Sequence, residues 1–145
     1  MAIITMKPVI LETPYAGKGI DSENDFKRNL LYLRACIRDC LVTHKEAPFA
    51  SHAIYTQPGV LIDEDTDDRE YGIQAGFAVR SLYPASIFYI DLGMSRGMEY
   101  GMRAAEKLQM ENGHKIIIRN LPAGWEERAK LLNEKFPNRK VWGVD

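Results

Sequence analysis

Two short stretches hold the residues with the most chemical potential. The first is Glu12-Thr13-Pro14-Tyr15-Ala16-Gly17-Lys18-Gly19. The second is Asp91-Leu92-Gly93-Met94-Ser95-Arg96-Gly97-Met98-Glu99-Tyr100-Gly101. In the second, Gly93 and Gly97 allow backbone to approach a ligand closely, and a helix start presents free N–H groups to an anion. Ser95 can cap that helix or bind a phosphate. Glu99 falls in the first turns, where the helix dipole favours its ionised form, and an ionised carboxylate in a crevice is a possible nucleophile. In the first, Pro14 and Gly17 bracket Tyr15, whose hydroxyl could orient such a carboxylate. Plain structural roles fit the same residues: Ser95 caps, Glu99 answers the dipole, the glycines make a turn and Tyr15 packs on the surface. From spacing alone these roles are the simpler reading, because neither GxGxxG nor a P-loop lysine is present.

These residues need elements to position them. Val9-Ile10-Leu11 reads as a buried first strand. Ser22 to Asp25 resembles a capping box, and Phe26, Leu30, Leu33, Ile37 and Leu41 predict a first helix to about Val42. Residues 47–50 are a weaker second strand because they contain Pro48. An irregular stretch over 51–64 follows, long enough to imply a function, and its apolar residues need a packing partner. Phe49, His52 and Tyr55 are expected to face a ligand or a neighbouring subunit from there. A second helix starts near Asp65 and runs to about Leu82. Residues 85–90 are apolar on both faces, as a central parallel strand should be. A third helix spans about 95–112 and ends at Gly113, and a fourth strand spans 115–119. Trp125, Ala129, Leu132 and Phe136 mark a fourth helix, and 141–144 a last strand.

This alternation predicts one α/β domain over 1–145: a flavodoxin-like (Rossmann-like) three-layer sandwich with a five-stranded parallel sheet in the order 2-1-3-4-5. In that order the ligand crevice lies beyond the carboxyl ends of strands one and three, where both stretches fall.

Composition narrows the alternatives. With 46% hydrophobic and 27% charged residues the chain is globular rather than disordered, and a net charge of −1 advertises no nucleic-acid polymer. No apolar run is long enough to span a bilayer, and no leader-like apolar core opens the chain, so a cytoplasmic address is expected. The two cysteines, Cys36 and Cys40, lie on one helix face and read as reduced, semi-buried thiols. No cofactor or metal is expected. The acidic run at 63–68 suits a solvated helix start better than a cation site, and His44 and His114 read as ordinary surface residues. His52 could contact substrate or shuttle a proton, or simply cap a turn.

The turn Pro14-Tyr15-Ala16-Gly17 and the later Gly97-Met98-Glu99-Tyr100-Gly101, with Asp91 ending the third strand, resemble the nucleoside 2-deoxyribosyltransferase and nucleotide N-glycosidase family. The segment 46–61 resembles an uncharacterised, often phage-encoded branch. Glu12-Thr13 departs from the small residues usual before the Pro-Tyr pair. The resemblance implies cleavage or transfer of an N-glycosidic bond of a (deoxy)nucleoside or nucleoside monophosphate. Glu99 would attack the sugar, Tyr15 would orient it, and Asp91 would assist the departing base. Pro14, Gly17, Gly93, Met94, Ser95, Gly97, Phe49 and His52 would bind substrate. It also implies a homo-oligomer. The rival reading is a module that sequesters or senses a nucleotide-type ligand without chemistry.

Overall fold

A computed structural model describes residues 3–15, 22–62 and 64–135. The chain order is β1 (Lys7–Glu12), α1 (Ser22–Arg38) widening into a π turn (Asp39–Thr43), β2 (Glu46–Phe49), α2 (Ser51–Ile54), α3 (Thr66–Arg80), β3 (Ala85–Tyr89), α4 (Arg96–Asn112), β4 (Lys115–Arg119) and α5 (Trp125–Lys135). All described strands are parallel, in the order β2-β1-β3-β4. The fifth strand expected at 141–144 lies outside the described residues, as does Phe136. Pro48 is tolerated because β2 is an edge strand, which needs fewer ladder N–H groups.

The sheet is covered on both faces. Ile87 and Tyr89 of β3 join Val9, Leu11, Tyr32, Leu33 and Cys36 in one core beneath α1 and α5. Phe88, between them, points the other way and packs on Met98 and Ala105 of α4. This strict alternation is why every residue of β3 is buried. Cys36 and Cys40 are buried and form no disulfide. A polar network crosses the same core: Arg119 donates to both Glu46 oxygens (2.7 and 3.0 Å) and to the Tyr89 hydroxyl (3.2 Å), which donates to Asp39 (2.7 Å).

Two expectations need correction. The stretch over 51–64 is not wholly irregular, because Ser51–Ile54 forms a helical turn. His114 is buried rather than at the surface. Gly113 explains this: it ends α4 at φ +78°, its N–H closing onto Gln109, and swings the next side chain inward. His44 remains partly exposed, 3.3 Å from Asp39. No helix among the described residues is long and apolar enough to cross a membrane.

Candidate functional site

At the carboxyl end of β1 the chain buries a charge. Glu12, the last residue of β1, forms an ion pair with Arg80, the last residue of α3. Their side chains are only 12% and 5% exposed. Burial raises the Glu12 carboxyl above its ordinary value, and the charge and hydrogen bond of Arg80 pull it back.

Arg80 is itself held by a directed chain of hydrogen bonds. Its Nη1 donates to Ser86 Oγ at 2.8 Å. The Tyr83 carbonyl, 2.8 Å from His114 Nδ1, can only accept, so Nδ1 carries the proton. His114 Nε2, 2.7 Å from Ser86 Oγ, then accepts from that hydroxyl. Every link points one way only while His114 is neutral, and burial indeed lowers its pKa.

A cavity of about 480 Å³ opens beside this pair, within the range of roughly 300–1,000 Å³ of small-molecule sites. Glu12, Thr13 and Tyr15 wall it from β1 and its following turn. His52, Tyr55 and Leu61 close it from the segment after β2, as the length of that segment led one to expect. Gly76, Phe77 and Arg80 contribute from α3, and Ser95, Gly97, Tyr100 and Gly101 from the opening of α4.

Each wall is locally fixed. The Tyr15 ring sits edge-on to Phe26 of α1 (5.2 Å between centroids) and to His52 (6.0 Å), and Asn29 donates to its carbonyl at 3.2 Å. His52 Nε2 lies 2.9 Å from the buried Thr13 hydroxyl, while the Thr56 hydroxyl donates to its carbonyl. Burial pushes the imidazole of His52 down to about 4, so it is a neutral contact at neutral pH and a poor proton shuttle there. Ser95 caps α4, its hydroxyl accepting from the Met98 N–H at 3.2 Å.

Of the residues singled out by sequence, Tyr15, His52, Ser95 and Gly97 therefore meet in one cavity. Gly17 lies outside the described residues. Pro14, Gly93 and Met94 are outside the wall; Gly93, at φ +83°, makes the turn after β3. Phe49 is also outside it, packed instead between the rings of Tyr55 (6.3 Å) and Tyr83 (6.1 Å).

Neither nominated carboxylate reaches the cavity. Glu99 is exposed and lies outside the wall, on a different side of α4 from Gly97 and Gly101. At 100° per residue, a side chain two positions from each of those glycines points nearly opposite to both. Asp91 is committed elsewhere: it accepts from the Tyr32 hydroxyl at 2.5 Å and from the Leu121 N–H at 3.0 Å. Tyr32 also accepts from the Asp91 N–H at 2.9 Å. Asp91 thus clamps the end of β3 to α1 and to the segment after β4. Replacing Asp91 with alanine takes away the acceptor of both the Tyr32 O–H and the Leu121 N–H, and should cost about 1–3 kcal/mol in urea unfolding.

Sequence reading missed Glu12 and Arg80. The available signal was an acidic residue at the carboxyl end of a strand facing the switch-point crevice. Asp65 does cap the start of α3, its side chain accepting from the Asp68 N–H, while the Asp68 side chain accepts from the Ile62 N–H of the preceding segment. Among the described residues, no cluster of three or more His, Cys, Asp or Glu side chains is placed to hold a metal ion.

A family model described as "Domain of unknown function (DUF7768)" matches residues 7–114. That span holds every described wall residue of the cavity. No curated protein and no solved structure matches the chain.

Proposed function

The chain belongs to the DUF7768 family, and we propose that it cleaves or transfers the N-glycosidic bond of a nucleoside or nucleoside monophosphate. One observation supports this reading above the others: Tyr15 and the Ser95–Gly97 turn, from two separate motifs, share one small-molecule-sized cavity with a buried carboxylate. Breaking an N-glycosidic bond develops positive charge on the sugar, and a carboxylate set against the anomeric carbon stabilises or traps it. The aromatic walls, Tyr15, Tyr55, Phe77 and Tyr100, offer faces and edges to a flat base. Ser95 and Gly97, at the start of α4, suit the 5′ end of the sugar. Water as acceptor makes the enzyme a hydrolase; a second base makes it a transferase. A homo-oligomer and a cytoplasmic address belong to the same reading.

The test is release of free base from a panel of nucleosides and their monophosphates, with and without an acceptor base. At least one substrate should turn over, and Tyr15→Phe should slow it about tenfold while leaving the melting temperature in place. The exposed position of Glu99 favours a second reading, a non-catalytic module that sequesters or senses a nucleotide. Calorimetric binding of a nucleotide with no base released under any acceptor condition would select it.

A further inference from the structure

Spacing nominates a carboxylate that the fold turns away from the cavity, and the fold supplies another. Glu12 and Asp68 are the described carboxylates in the wall. Asp68 lies in the first turn of α3, where its side chain accepts from the Ile62 N–H at 2.8 Å and so ties the helix start to the segment before it. Glu12 instead pairs with Arg80. It ends β1, at the switch point of the sheet, and shares the wall with Tyr15.

The helix opposite Glu12 is shaped around it. A Cβ at Gly101 would stand 2.7 Å from Glu12 Oε1, so the Glu12 carboxylate would have to shift, and 3.1 Å from Arg80 Nη2, a tight contact. Glycine in a helix interior costs roughly 1 kcal/mol relative to alanine, so its presence in the middle of the contact marks room kept for the Glu12–Arg80 pair. Arg80 in turn keeps one buried donor, its Nε, without a hydrogen-bond partner among the described residues.

We infer that Glu12 is the carboxylate that attacks the anomeric carbon, with Arg80 its positioning residue and Gly101 the helix position that admits it. The inference rests on the glycosidic reading above and names its nucleophile. In the first half-reaction a Glu12 oxygen forms a bond to C1′ as the C1′–N bond breaks. The electron pair of that bond leaves on the base nitrogen, which takes a proton from solvent. In the second half, water or the nitrogen of an acceptor base attacks C1′. The ester C1′–O bond breaks, its pair returns to Glu12, and the attacking group loses its proton to solvent. Arg80 steadies the carboxylate both as it attacks and as it leaves.

The experiment uses 2′-deoxy-2′-fluoroarabinosyl nucleosides and their 5′-monophosphates, whose fluorine slows hydrolysis of a glycosyl ester. Intact mass followed by peptide mapping should find the adduct on the peptide that holds Glu12. Glu12→Gln should lower base release from natural substrates by about a hundredfold or more, while Glu99→Gln leaves it unchanged. Arg80→Lys should move the acid limb of kcat/KM upward, a shift that a merely structural role would not produce. An adduct on Glu99 or Asp68, or wild-type turnover by Glu12→Gln, overturns the assignment and leaves the glycosidic reading intact. Neither base nor adduct from any probe overturns both. If Glu12→Gln does not fold, adduct mapping on the wild-type chain still decides.

Discussion

Replacing Arg80 with methionine should remove about 3–5 kcal/mol of stability, measured by urea unfolding with the wild type alongside. Methionine roughly preserves the length of the side chain and its apolar stem, so packing is not the main loss. The loss is the cation. Arg80 is 4% exposed and supplies both the ion pair to Glu12 and the hydrogen bond to Ser86. Without it Glu12 is a carboxylate buried without a counter-charge, and burial already raises its pKa while Arg80 is present. The fold must then protonate Glu12 or open to hydrate it. In a domain whose whole stability is of order 5–15 kcal/mol, that is a large share. The double variant Glu12→Gln, Arg80→Met should cost clearly less than the two single losses added together, because the second change removes the charge that the first left stranded. Additive losses, or a single loss below about 1 kcal/mol, would mean that the pair is hydrated and does not hold α3 to β1.

Acid should destabilise the chain through His52, by up to about 3 kcal/mol between neutral pH and pH 4. In the folded chain burial holds the imidazole near 4, against 6.5 for the free side chain. As pH falls below 6.5 the unfolded chain takes up a proton that the folded chain refuses, so the unfolded state gains. The stabilising contribution is therefore whole above about 6.5, falls through the window, and is gone by about 4. His114 acts in the same direction, since its pKa is lowered too, so the comparison must isolate one ring. His52→Asn keeps a polar group beside Thr13 and removes the titration. Unfolding free energies of wild type and variant, measured at several pH values across the window, should diverge as pH rises. Parallel pH profiles would show that solvent reaches the His52 ring.

The two motifs were legible as turns because their cause is local. Proline and glycine impose backbone angles wherever they stand, and a serine ahead of a helix finds the N–H groups of the first turn whatever packs around it. Ser95 and Asp65 cap as expected for that reason. The role given to Glu99 depended on something else, the rotation of α4 about its axis. Met98, 1% exposed, shows that rotation: it points to the sheet, and with Gly97 and Gly101 toward the cavity, Glu99 is left to solvent. The spacing of Gly97 and Gly101, four apart, already put them on one face without the glutamate between them.

By itself the sequence determined the α/β alternation, the central strand, the helix ends and the closing segment after β2. Each of these follows from periodicity or from the backbone preference of a single residue. Tertiary structure alone decided which acid lines the cavity. Glu12 is separated from Arg80 by 68 positions, from Gly101 by 89 and from His114, at the end of the same hydrogen-bonded chain, by 102. No local rule brings those residues together. The parallel order β2-β1-β3-β4 does, by setting β1 beside β3 and leaving the end of α3 to close over both, where a carboxylate taken out of water requires a cation within reach.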